Sequence, residues 1–336
     1  MSPLSVFEWN ERLDNALCSS WVKLVAGRIS EITEEAKRTM DKKSGFLILN
    51  VLLLITLLLG ASQERAEAGS PWLWDRVLKQ EIASDAMLMP TALFIDGDKE
   101  LYYVVDSGRN RLLSFNRKGE LLNIFNAGKA LSIPFDMVKT DEKGVWVVEK
   151  GRNSLSYIDL KEKKVTLNTL KYQGELVYPD RIEADSGVLY VLNKKTGDII
   201  SYSDKLDAVT RFSCSECPWG FVDFKIHKQI IWALDQANKT IRCFNLTGKL
   251  VKTFELGDSV NFPVSLAIGP SGFIYVLDRQ RRNVAVYDKN GAFKYRFLQR
   301  GITRGQLYYP SEIRFDPWGE LCLVDEGNAR VEVFKR

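Results

Sequence analysis

VVDSGRNRLLSFNRKGE, residues 104–120, returns twice in altered form, as VVEKGRNSLSYIDLKEK at 147–163 and as VLDRQRRNVAVYDKNGA at 276–292. The copies share few identical residues, yet apolar, polar and turn positions keep their places. Six short polar residues, each closing an apolar run, mark the register: Asp106, Glu149, Asn193, Asp235, Asp278 and Asp325, at intervals of 43, 44, 42, 43 and 47 residues. Two positions before the marker stand Val104, Val147, Val191, Ala233, Val276 and Leu323. Three before it stand Tyr103, Trp146, Tyr190, Trp232, Tyr275 and Cys322. Six after it come Leu112, Leu155, Ile199, Ile241, Val284 and Val331, and nine after it Phe115, Ile158, Tyr202, Phe244, Tyr287 and Phe334.

Side chains alternate between the two faces of a strand, so fixed apolar columns mean fixed inward faces. Runs such as YVV, WVV and YVL are nearly continuous rather than alternating, which suits a small sheet covered on both faces by its neighbours. A period in the forties with four strand-like pieces per unit predicts an all-β fold, a six-bladed β-propeller over residues 70–336. In the first unit the strands fall at about 91–96, 101–106, 111–116 and 120–125, with turn residues between them. The last unit ends at Arg336 after a third strand. An open blade edge is a liability, and DRVLKQEIA at 75–83 resembles the fourth strands of other units, so it is expected to complete the sixth blade and close the ring.

The chain at this point resembles the NHL repeat propellers. The resemblance rests on VVDSGRNR at 104–111 and, more loosely, on VVEKGRNS at 147–154, VLDRQRRN at 276–283 and LVDEGNAR at 323–330, with a proline opening units at Pro134, Pro179, Pro263 and Pro310. VLNKKTGD at 191–198 and ALDQANKT at 233–240 depart from that turn pattern.

Ahead of the repeats, FLILNVLLLITLLLGA at 46–61 is apolar except for Asn50 and Thr56, with Lys42 and Lys43 before it and Ala66-Glu67-Ala68 after it. Residues 45–61 therefore read as a transmembrane anchor or the core of a signal peptide, and 62–69 as a linker with a candidate cleavage site. Residues 1–44 are an N-terminal extension, cytoplasmic if Met1 begins the chain and in large part untranslated if Met40 does. Both readings place the propeller outside the cytoplasm, periplasmic or at the cell surface, anchored or secreted.

One histidine, His227, in 336 residues excludes mechanisms that need two imidazoles. A net charge of +4 does not argue for nucleic acid, and no nucleic-acid partner is expected. The marker residues could form an acidic ring around a metal, but short polar side chains at strand ends ordinarily cap the tight turn that follows. Among propeller enzymes, gluconolactonase-like proteins would need a central Glu, Asn and Asp set, and streptogramin-lyase-like proteins would need catalytic histidines. No catalytic residue, metal ligand or cofactor is assigned. Cys214 and Cys217, a CxxC pair between two blades, are expected to form a disulfide if exported.

The turns between second and third strands and the links between blades should share one face. That face would carry Arg109, Arg152, Lys194, Lys195, Arg279, Arg281 and Arg282 beside Trp219, Tyr308 and Tyr309. Bases beside aromatics suit an anionic partner. The expected function is non-enzymatic: a monomeric, exported binding or scaffold propeller for a protein, peptide or glycan. The alternative is a metal-dependent propeller enzyme of the lactonase or lyase type.

Overall fold

The computed structural model describes residues 71–80, 85–140, 143–162 and 164–336. The extension 1–44, the apolar segment 45–61 and the linker 62–69 lie outside them. Among the described residues no helix is long and apolar enough to cross a membrane.

Six four-stranded antiparallel sheets follow one another along the chain. Blade one comprises Pro90–Asp96, Leu101–Asp106, Arg111–Asn116 and Leu121–Phe125; blade two Pro134–Lys139, Gly144–Glu149, Ser154–Asp159 and Val165–Asn168. Blade three comprises Pro179–Asp185, Val188–Asn193, Asp198–Tyr202 and Ala208–Phe212; blade four Asp223–His227, Ile230–Asp235, Thr240–Asn245 and Leu250–Glu255. Blade five comprises Pro263–Ile268, Ile274–Asp278, Asn283–Tyr287 and Phe293–Phe297. Blade six takes Pro310–Phe315, Leu321–Asp325 and Arg330–Lys335 from the C-terminus and its outer strand, Leu73–Leu78, from the N-terminal side. That strand pairs antiparallel with Arg330–Lys335, from Leu73 opposite Lys335 to Leu78 opposite Val331. It starts two residues earlier than the sequence suggests and ends five earlier.

The hydrophobic core is not one mass but a set of seams, each between neighbouring blades. The seam of blades two and three holds Val148, Leu155, Ile182, Leu189 and Ile200. The closing seam joins Leu78, Cys322, Val324, Val331 and Val333 of blade six to Leu93, Tyr102, Leu113 and Phe115 of blade one. Arg76 on the closing strand reinforces it, donating to the Tyr102 hydroxyl and to Glu320, both at 2.6 Å.

Outer strands contribute one further column. Opposite the residue six places after each marker stand Phe125, Phe212, Phe254 and Phe297 in blades one, three, four and five, and Leu78 in blade six. Phe212, Phe254, Phe297 and Leu78 are buried. In blade two the position is Asn168, opposite Leu155.

Candidate functional site

Each inner strand starts at the same face of the ring, where the interblade links arrive and the turns between second and third strands emerge. This link face is held by the marker residues. Asp106 accepts from the amides of Leu88 and Met89, each at 3.1 Å, and Glu149 from Ser132 N at 2.6 Å. Asn193 accepts from Tyr178 N at 3.0 Å and Asp325 from Tyr308 N at 2.7 Å. Asp278 holds the amides of Asn261 and Phe262, and its other oxygen takes those of Gln280 and Arg281. Five of the six markers thus anchor the amide of an arriving link, while Asp235 accepts from Ala237 N and Asn238 in its own turn. Their oxygens are spent on backbone amides and on side chains of the same turns and third strands, such as Arg111, Ser156, Asn238 and Arg330, so the marker ring is structural.

Glycine is required where these segments touch. Gly197, in the turn of blade three, and Gly220, in the link to blade four, have φ of +69° and +68°, and a Cβ on either would collide with the other's backbone.

The basic residues expected on this face are all there, but most are already engaged. Arg109 donates to Ala86 O at 2.6 Å, and Arg152 bonds the Ala130 carbonyl and Glu149. Arg279 pairs with Glu326 at 3.2 Å, and Arg281 donates to Asp258 O at 3.0 Å and Asn261 Oδ1 at 2.8 Å. Lys195 lies 3.9 Å from Glu175, and Lys194 is exposed. Arg282 sits 5.5 and 5.3 Å from the ring centres of Tyr308 and Tyr309, which meet edge to face at 4.6 Å. Several acids that neutralise the bases come from a neighbouring link or blade, so the face is less strongly positive than its turns alone indicate.

What stands out instead is apolar. Trp219 is 70% exposed and Ile302 74%, and Leu88, Ile133, Phe262 and Tyr309 are exposed as well, all on links around this face. Ile133 and Tyr309 also hold φ of +50° and +51°. The left-handed region is unfavourable for any side chain, more so for a β-branched one, and local strain of this kind concentrates at functional surfaces.

The central channel is closed by charge. Two residues beyond each strand-opening proline, or its equivalent in blade four, the inner strands place Ala92, Asp136, Arg181, Asp223, Ser265 and Glu312; two further on come Glu183, Lys225 and Arg314. Arg181 reaches from blade three to Thr91 O and Ser311 O of blades one and six, at 3.3 Å each. Lys225 lies 3.1 Å from Asp223, 3.2 Å from Glu312 and 3.4 Å from Glu183. Arg314 bonds Glu312 and Glu183, both at 2.7 Å. Asp223 also accepts from Ser265 Oγ at 2.7 Å, and Glu312 from Leu93 N at 2.8 Å. Asp136 accepts from the amides of Met137 and Ile182. Burial, together with the charge of Glu312, pushes its carboxyl up to about 7, against the pull of Arg181, Arg314 and Lys225. These carboxylates have cations or backbone amides as partners, so the donor set does not suit a divalent ion.

His227 ends the inner strand of blade four on the face opposite the links. It is half-buried, and burial, aided by Lys228, lowers its pKa. With Lys225, Glu183, Arg314 and Phe315 it lines a cavity of about 280 Å³ at the lower mouth of the channel. Cys214 and Cys217 are joined by a disulfide in the link to blade four. Asp235 lies within 4.8 Å of both sulfurs, which are bonded to each other and offer no thiolate. Cys243 and Cys322 are free thiols buried in strands of blades four and six.

The chain is a six-bladed β-propeller. No family model matches it, and no curated protein does. Among solved structures it is similar to virginiamycin B lyase from Staphylococcus aureus. A catalytically inactive His-to-Ala variant of that enzyme with quinupristin is 15% identical, over 74% of this chain and 80% of that one, with a TM-score of 0.55. A streptogramin B lyase is 13% identical over 79% and 97% of the two chains, with a TM-score of 0.57. Likeness at this level is one of fold.

The channel network is what sequence reading missed. Its signal was available: charged residues recur at two fixed places in otherwise apolar inner strands, always at the same distance from the opening proline or its equivalent.

Proposed function

We propose that this protein is an exported NHL-type propeller, non-enzymatic, that binds a protein or peptide partner on its link face. The observation that carries the reading is the set of exposed apolar side chains there, Trp219 and Ile302 foremost. Large exposed apolar groups gathered on one face of a protein rather than scattered over it are a mark of interaction sites. Trp and Tyr, with Arg beside them, are the side chains that anchor such interfaces. Trp219 and the Arg282, Tyr308 and Tyr309 cluster would supply the anchors, with Lys194 and Lys195 favouring an acidic rim on the partner. Export rests on the 45–61 segment, and the Cys214–Cys217 disulfide suits that compartment.

The names of the structural neighbours bring forward the enzymatic alternative. Against it stand the single histidine, on the face away from the links, and a channel whose carboxylates are already partnered.

Panning a phage-displayed random peptide library against residues 70–336 tests the proposal. Recovered peptides should compete with one another and lose binding to a Trp219→Ser, Phe262→Ser double variant whose melting temperature is unchanged. Peptides indifferent to both substitutions, or none recovered, would overturn it.

A further inference from the structure

In blade four the outer-strand Phe254 stacks on Trp232, with ring centres 5.4 Å apart and planes 18° from parallel. It plugs the gap against the next blade. Blade two has the corresponding Trp146, but Asn168 occupies the plug position. The replacement leaves a cleft of about 500 Å³ between blades two and three.

Blade two departs from the others a second time at the same spot. Directly across the strand pair from Trp146 lies Tyr157, where the other blades carry Ser114, Ser201, Cys243, Val286 and Val333. The Trp146 and Tyr157 rings are 4.9 Å apart and inclined at 53°, and both are half-buried. Gly144 makes room for this, because a Cβ there would run into the Tyr157 ring. The cleft is completed by Thr140, Thr166, Asn168 and Asp204. Asn168 donates its Nδ2 to Thr166 O at 3.0 Å. Loss of an apolar plug and gain of an aromatic corner coincide in one seam.

We infer that this cleft is a binding site for a neutral saccharide of one or two residues. Its volume is in the range of small-ligand sites, about 300–1,000 Å³. Two inclined rings offer the flat apolar surface against which the C–H face of a pyranose packs, while the hydroxyls at its edge need polar partners. The Asn168 amide, the Asp204 carboxylate and the threonine hydroxyls supply them. A purely apolar ligand would strip those groups of water without replacing their hydrogen bonds. An anionic ligand would meet Asp204 with no base among the described residues lining the cleft. The site is distinct from the link face and stands or falls independently of it.

The test is tryptophan fluorescence and saturation-transfer NMR on residues 70–336, titrated with glucose, galactose, mannose, N-acetylglucosamine and its β-1,4 dimer. At least one should bind saturably with a millimolar or tighter Kd. Trp146→Ala should weaken it tenfold or more. Asn168→Phe restores the plug that other blades carry, so it should keep the fold and abolish binding. Failure of all five sugars to bind, or binding untouched by Asn168→Phe, overturns the assignment. Preferential binding of indole or of an acidic peptide to the cleft overturns it as well.

Discussion

Replacing Leu78 by alanine should cost the propeller more than almost any other single truncation so near a chain end. Leu78 is fully buried and fills in blade six the place that Phe212, Phe254 and Phe297 fill elsewhere. It belongs to the seam that joins the last blade to the first. Leu→Ala at such a site removes about 2–5 kcal/mol, the transfer term plus the cavity left behind. For a domain of this size each kcal/mol is worth about 2–4 °C in midpoint, so a loss of about 3 kcal/mol lowers Tm by roughly 6–12 °C. Leu73, on the same strand but 64% exposed, is the control. Its alanine variant should stay within about 0.5 kcal/mol of the parent. Both are read by calorimetry on residues 70–336. If Leu78→Ala melts within 2 °C of Leu73→Ala, by the conversion just used the closing strand adds little, and the ring is held by the C-terminal strands alone.

Three more outcomes are expected. Asp136 holds its proton more tightly folded than unfolded, so the stability tied to that proton is full below about pH 4 and is lost as pH rises through about 7. The stability advantage of the parent over Asp136→Asn should therefore shrink between pH 5 and 8, by at most about 3 kcal/mol, and a constant difference would refute the shift. Opening the Cys214–Cys217 disulfide, by reductant or by replacing both with serine, should cost only about 2 kcal/mol because the loop is short, measured as a thermal shift. Alkaline phosphatase fused after Ser70 should be active, and mass spectrometry of the product should distinguish cleavage near Ala68 from an intact anchor; an inactive fusion would argue against export.

The blades were legible because the period-two alternation of a strand converts directly into columns, and columns in register leave little freedom in pairing. Boundaries in blade one fell within a residue of the observed ones. The closing strand was found by resemblance to other outer strands and by the open edge it had to fill. Charge partners were not legible. Arg279 is neutralised by Glu326, 47 residues away and in the next blade, and spacing within one repeat carries no trace of that. The channel network was hidden for a similar reason, since Arg181 finds its acceptors on blades across the ring. Asn168 was readable in principle. It breaks the outer-strand phenylalanine column, and that column goes unnoticed when register is judged on second and third strands alone.

The pairing of Leu73–Leu78 with Arg330–Lys335 also governs how the molecule can be made. The first strand of the domain to leave a ribosome or a translocation pore has the last strand as its partner. Until that arrives, Leu78 has no seam to enter and the edge of Arg330–Lys335 does not yet exist. Blades one to five can form in turn from local hairpins, but the circle is completed only by a contact spanning the whole domain, the slowest kind to close. A chain ending before Arg330–Lys335 would therefore carry nearly the full complement of blades and still expose two strand edges, those of Leu73–Leu78 and Leu321–Asp325. No second copy of such a fragment carries the missing strand either, so premature termination here should yield a ring with unpaired edges that aggregates through them.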